Sequence, residues 1–97
     1  MADFPPTHPG DVLRHDFLEP LGMSQYALAK ALSVPEMRIC ELVNKKRAVT
    51  PDTALRLARY FNTSPEFWLG MQQTHDLEQT RDRAGATIEA EVHPRAA

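Results

Sequence analysis

The sequence predicts an all-α fold of five helices, and three observations carry that expectation. Apolar residues recur three and four apart in successive segments: Leu13, Phe17 and Leu21, then Leu28 and Leu32, then Ile39, Leu42 and Val43. Helix-start chemistry appears three times, at Ser24, at Thr50-Pro51-Asp52 and at Ser64-Pro65-Glu66, each a hydroxyl cap, twice with a first-turn proline and an acid behind it. Two of the helical patterns are joined only by the short break Ser33-Val34-Pro35.

Taken in order, residues 1–8 contain Pro5 and Pro6 and read as a flexible arm. The domain proper is expected over 9–83. Pro9 suits a first helical turn and Asp11 its dipole, so a first helix covers about 9–19, with Pro20 and Gly22 closing it. Ser24 caps the second helix, which ends near Leu32. The third begins at Pro35 and reaches Val43, followed by the basic loop Asn44-Lys45-Lys46-Arg47. The fourth starts at Thr50-Pro51, presents Leu55, Ala58 and Phe61 on one face, and ends at Asn62 in a left-handed conformation. The fifth runs from Pro65 to about Arg83 with Phe67, Trp68, Met71 and Leu77 as its apolar contacts, and Gly85 breaks it. In the extension 84–97, Ile88, Ala90 and Val92 alternate with Thr87, Glu89 and Glu91, a short strand pattern. A lone strand would pair with its copy in a dimer, pair with another protein, or stay disordered.

The second and third helices belong together. Leu28 and Leu32 share one face, Ala29 is small enough for a helix to cross over it, Val34 can plug the corner, and Ile39, Leu42 and Val43 face back. Those offsets over 24–44 describe a helix-turn-helix, whose second helix enters the DNA major groove. The turn needs one residue at positive φ, where glycine is usual; Ser33 stands there at a cost of about 1 kcal/mol.

With 97 residues the chain is expected to be one small domain with a modest core, and an interface with a second copy would bury more apolar surface. No apolar run approaches a membrane span, and the first residues lack the pattern of a secretory signal. A single cysteine, Cys40, excludes an internal disulfide and a cysteine-based metal cluster. A cytoplasmic protein is the expectation. The net charge of −2 conceals a division: residues 23–50 carry +3, while 1–22 and 66–97 carry −3 each. That suits one face for phosphate and another for a basic partner. Uneven solvated charge is the plainer alternative.

On the third helix, Glu36, Met37, Arg38 and Glu41 are expected to face outward. Arg38 is the leading base reader, because its fork matches guanine O6 and N7. Glu36 and Glu41 can accept from cytosine amino groups, hold Arg38, or simply be solvated. Met37 can touch a thymine methyl or be ordinary surface. Gln25, Asn44, Lys45, Lys46 and Arg47 flank that helix and are expected at the DNA backbone, where they position rather than specify. Arg47 can alternatively pair with Asp52 or Glu41. Cys40 is expected to be a small, partly buried residue rather than a redox switch. His8, His15, His75 and His93 are scattered, with no metal-ligand spacing and no nucleophile motif, so neither catalysis nor a cofactor is expected.

The stretch from His8 to Leu77 resembles HigA-type antitoxins, the VapI-like branch of the Xre helix-turn-helix proteins. The matching blocks are HPGDVL (8–13), FLEPLGMSQYALAKALSVP (17–35), RICELVNKKRAVTPDTALRLARYFNTSPEFWL (38–69) and DL (76–77). Ser33, Lys45, Asn62 and Gly70 depart from the usual family residues. The resemblance implies a five-helix, lambda-repressor-like core, a homodimer, operator DNA as a partner, repression of its own toxin–antitoxin operon, and neutralisation of a HigB-type toxin, a ribosome-dependent mRNA endonuclease. The acidic arm (Asp3, Asp11, Asp16, Glu19) and the acidic fifth helix and tail are both open as toxin-masking surfaces. The alternatives are a protein-interaction adaptor that has lost DNA binding, and a stand-alone regulator without a toxin.

Overall fold

A computed structural model describes residues 7–96. They form five helices: α1, which opens as Pro9–Val12, continues through the π-helical stretch Leu13–Leu18 and closes with Glu19–Leu21; α2, Gln25–Leu32; α3, Glu36–Val43; α4, Pro51–Phe61; and α5, Pro65–Glu91. The anticipated caps are in place. Ser24 Oγ accepts from Ala27 N at 3.0 Å, Thr50 Oγ1 from Thr53 N at 3.4 Å, and Ser64 Oγ from Phe67 N at 3.0 Å. Each satisfies one of the donors a helix start leaves over.

Two boundaries differ from expectation. Pro20 lies inside α1, which ends at Leu21 with Gly22 in the left-handed conformation. The turns before Pro20 widen, with Glu19 N–H reaching back five residues to Arg14 O. A proline ring collides with the carbonyl four residues back and brings no N–H, and the wider register relieves both. The second difference is larger. α5 passes through Gly85 to Glu91, so the strand expected over 86–92 does not form. Extending an existing helix adds a hydrogen bond per residue without a new nucleus, whereas a lone strand has nothing to bond. Residues 1–6 of the expected arm lie outside the described residues, but His8 is not part of a free arm. It is buried, and its Nδ1 accepts the Gly10 N–H at 2.9 Å as the N-cap of α1.

The core gathers Leu13 and Leu18 of α1, Leu28, Ala29 and Leu32 of α2, Ile39, Leu42 and Val43 of α3, Ala54, Leu57 and Ala58 of α4, and Trp68 of α5. The face of α4 is therefore set by Ala54, Leu57 and Ala58, with Phe61 partly buried; Leu55 points outward. Phe67 and Leu77, expected among the apolar contacts of the fifth helix, are exposed as well. Trp68 carries an aromatic cluster, 5.2 Å from the Phe17 ring and 6.5 Å from Phe61, and donates from Nε1 to Thr63 Oγ1 at 2.8 Å.

His8 packs edge-on against His75 of α5, ring centroids 4.8 Å apart. Burial first, and the neighbouring His75 second, push its pKa below the ordinary 6.5. Asp11 and Asp76 oppose the shift and Lys45 adds to it. The folded chain therefore favours neutral His8, and its contribution to stability is complete above about pH 6.5. It is lost as pH falls from there through the folded-state pKa, because the unfolded chain takes the proton first. Denaturant midpoints of wild type should thus drop between pH 7.5 and 5.5. His8→Asn, which keeps a capping acceptor without the titration, should flatten that dependence; an unchanged slope would remove His8 as its source.

Candidate nucleic-acid interface

The corner between α2 and α3 is made by Ser33, at φ 58°. Its N–H reaches Lys30 O at 3.2 Å, and Val34 N–H reaches Ala29 O at 3.0 Å, which ties off the end of α2. Arg56 from α4 completes the closure: its Nη1 donates to Leu32 O at 2.8 Å and to Ser33 O at 3.4 Å. A clamp from the neighbouring helix thus holds a turn that serine strains.

On α3, Ile39, Leu42 and Val43 are buried, as the periodicity requires. Met37 stands out at 62% exposure, and Glu36 is exposed beside it. Glu41 is half-buried and engaged by Arg47, with Nε and Nη2 at 2.9 and 2.8 Å from Oε1. The alternative pairing of Arg47 with Glu41 is the one the structure contains. Its guanidinium covers the carboxylate that would otherwise repel phosphate. Cys40 is half-buried, its Sγ accepting from Asn44 Nδ2 at 3.4 Å.

Arg38 is placed differently from the other outward residues. It lies on the flank of α3 toward α4, and its Nη1 donates to Asp52 Oδ2 at 2.8 Å. The same oxygen accepts from Arg56 Nε at 2.9 Å. Those two guanidiniums, Arg56 foremost, hold the Asp52 carboxyl below the usual carboxylate range. Asp52, not Glu36 or Glu41, orients Arg38. Exposed ion pairs add about 0–1 kcal/mol each, so the consequence lies in the direction of the arginine rather than in stability.

After α3 the chain turns through Lys45 at φ 62°, whose N–H bonds Leu42 O at 3.0 Å, and Lys46 N–H returns to Glu41 O at 2.8 Å. Lys45 Nζ sits 3.5 Å from Asp11 of α1. Lys46 and Arg47 are exposed. Gln25 occupies the first turn of α2, half-buried, in a groove with Arg14, Met23 and Ser24. The basic loop is moored at its far end by a residue that the sequence did not single out. Gln72 of α5 is buried, its Oε1 accepts Val49 N–H at 2.8 Å, and its Nε2 donates to Asp76 at 3.0 Å. Nothing in local periodicity marks Gln72 or Arg56, since each acts more than twenty residues away. Gly10, which lies against the carbonyl of Leu42, was not singled out either, because the backbone it approaches is equally remote along the chain.

The geometry is therefore a helix that presents Glu36 and Met37 outward, set on a clamped corner, between a half-buried polar start and a moored cationic loop. A helix-turn-helix family model matches residues 15–68, which span α2, the corner, α3, the basic loop and α4. The chain belongs to the helix-turn-helix family. Its relatives include Virulence-associated protein I of Dichelobacter nodosus, 50% identical over 76 residues that cover 78% of this chain and 70% of that one. An addiction module antidote protein of the HigA family from Coxiella burnetii superposes with a TM-score of 0.90 at 41% identity, covering 95% of this chain and all of that one. The Pseudomonas aeruginosa antitoxin HigA, solved with the higBA promoter, gives 0.90 at 38% identity, covering 94% and 99%. The resemblance read from residues 8–77 is thus met by relatives bearing both the VapI-like and the HigA names. Among the described residues no cluster of acids, histidines and cysteine could hold a metal ion, and no helix is long and apolar enough to cross a membrane.

Proposed function

We propose that this protein is the antitoxin of a type II toxin–antitoxin module, a dimer that binds its operator, represses its own operon and neutralises a HigB-type mRNA endonuclease. The observation that carries this reading is the outward side of α3 beside an exposed basic loop, in a chain that superposes along nearly its whole length on an antitoxin solved with the higBA promoter. Two copies of α3 would enter successive major grooves about 34–36 Å apart on a palindromic site. Glu36, Met37, Arg38 and Glu41 would face base edges, while Gln25, Asn44, Lys45, Lys46 and Arg47 contact the backbone. Met37 is the best placed for a thymine methyl. Arg38 keeps donors beyond the Nη1 that Asp52 engages, so the carboxylate can aim it without using it up.

Titrating the protein against its own upstream DNA and a scrambled duplex, with and without the neighbouring gene product, tests the proposal. Operator preference and relief of toxicity are both expected. Equal affinity for both duplexes would favour an adaptor that has lost DNA recognition, and operator preference without any toxin would favour a stand-alone regulator. Within that assay Arg38→Ala should cost about 1–3 kcal/mol on operator and little on scrambled DNA. Lys46→Ala should weaken both alike and reduce the slope of log affinity against log salt by about 1. Equal losses on the two duplexes for Arg38→Ala would remove it from base reading.

A further inference from the structure

The basic loop between α3 and α4 is held from two sides, and both holds end on one pair of histidines. His8 is buried at the start of α1, and His75 of α5 has only 12% of its side chain exposed; their rings meet edge-on at 4.8 Å. From His8 the hold runs through the first turn of α1. His8 Nδ1 accepts the Gly10 N–H at 2.9 Å, and Gly10 lies against Leu42 O in the last turn of α3. Asp11, in the same turn, sits 3.5 Å from Lys45 Nζ at the start of the loop. From His75 the hold runs back along α5. Asp76 Oδ1 lies 3.4 Å from His75 Nδ1 and accepts from Gln72 Nε2 at 3.0 Å. Gln72 Oε1 in turn accepts the Val49 N–H at the far end of the loop, at 2.8 Å.

Both routes depend on protonation, for reasons that lie in the donors and acceptors. A ring nitrogen that accepts a hydrogen bond carries no proton, so the cap on Gly10 exists only with neutral His8. A charged imidazole donates from both nitrogens and would leave that N–H without its acceptor at a helix start. On the other side, His75 and Gln72 address the same oxygen of Asp76. A proton on His75 makes it a charge-assisted partner for that oxygen, at the expense of Gln72. Among the described residues, the charged groups around the pair are Asp11 on α1, Lys45 on the loop and Asp76 on α5. Both acids are already engaged, Asp11 by Lys45 and Asp76 by Gln72, so a new positive charge here competes with the moorings of the loop.

We propose that the His8–His75 pair is a proton-operated latch on the basic loop, closed while both rings are neutral and released as the pH falls. The two histidines are positioning residues, acting on DNA through Lys45, Lys46 and Arg47. The lowered pKa of His8 agrees in sign: a folded state that resists protonation at this site is one that protonation loosens. The consequence runs against simple electrostatics. Positive charge gained on acidification strengthens attraction to phosphate, whereas release of the loop weakens it.

The inference rests on the DNA-binding reading for its consequence, yet the latch itself is tested without DNA. Amide exchange of the full chain, corrected for the intrinsic pH dependence of exchange, reads it directly. Between pH 7.5 and 5.0, protection of the Gly10 and Val49 N–H groups should fall at least about threefold further than that of Leu57 in the core of α4. His8→Asn, which keeps a capping acceptor, should remove the Gly10 response. His75→Phe, which keeps an edge-on ring and leaves Asp76 to Gln72, should remove the Val49 response. Operator affinity at constant ionic strength should fall over the same range, and the double variant should show no fall. Val49 protection that follows Leu57 in the wild type, operator affinity that rises steadily on acidification, or a fall that persists in the double variant would each overturn the latch. Selective loss of protection in a protein with no operator preference at any pH would count against the proposed function and leave the latch standing.

Discussion

Gly10→Ala is expected to destabilise the chain by about 2 kcal/mol or more, although alanine is the better helix former. The reason is the crossing of α1 over the end of α3. A β-carbon at position 10 would overlap the Leu42 carbonyl oxygen, lie 3.0 Å from its carbon and come within 3.1 Å of His8 Nδ1. The oxygen belongs to backbone in the last turn of α3, so no flexible side-chain end can move aside. The helix as a whole must shift, and the His8 cap with it. Propensity would return only about 0.5–1 kcal/mol. Gly85→Ala makes the same chemical change within α5, where the nearest atom outside the helix backbone is Arg81 Cγ at 3.5 Å, and it should be neutral or stabilising. Urea midpoints of the two variants should therefore move in opposite directions. A Gly10→Ala midpoint equal to wild type would show that α1 and α3 do not pack at this distance. Because the strain falls on α3, operator affinity should fall further than the loss of folded protein explains.

The largest loss is expected for Trp68→Ala, about 3–5 kcal/mol. Trp68 is fully buried and is the biggest side chain of the core. It joins α5 to Phe17 of α1 and Phe61 of α4. Truncation would leave a cavity under three helices and release Thr63 Oγ1 from its indole donor. A small domain holds only about 5–15 kcal/mol in reserve, so most of the margin would go. Trp68→Phe, which keeps most of the volume and loses the hydrogen bond, should cost clearly less. If the two variants lost the same amount in a denaturant titration, the hydrogen bond rather than the packing would be the dominant contribution. Gln72, one turn on, holds the basic loop, so loosening α5 should also blunt backbone contact with DNA.

Much of the architecture was legible because it is encoded within a few residues. Caps at Ser24, Thr50 and Ser64, the break at Ser33-Val34-Pro35, and the burial of Ile39, Leu42 and Val43 are all local statements, and all hold. The helix that faces outward, and the cationic loop behind it, follow from the same local pattern. Where the reading departed, the cause was a competition that no short window contains. The run Ala86–Val92 alternates like a strand, yet it inherits a growing helix at its start. Leu55 and Phe67 satisfy helical spacing, but the residues one step round the helix, Ala54 and Trp68, were the ones covered.

By itself, then, the sequence determined the number of helices, their starts, the corner that joins α2 to α3, and the family to which the chain belongs. Tertiary structure alone decided that Asp52 turns Arg38, that Arg56 clamps the strained Ser33 corner, that Gln72 moors the loop at Val49, and that Gly10 admits Leu42. The physical reason is reach. Hydrogen bonds along a helix link residues four apart, whereas these contacts join residues 14 to 32 positions apart and exist only once the helices have crossed.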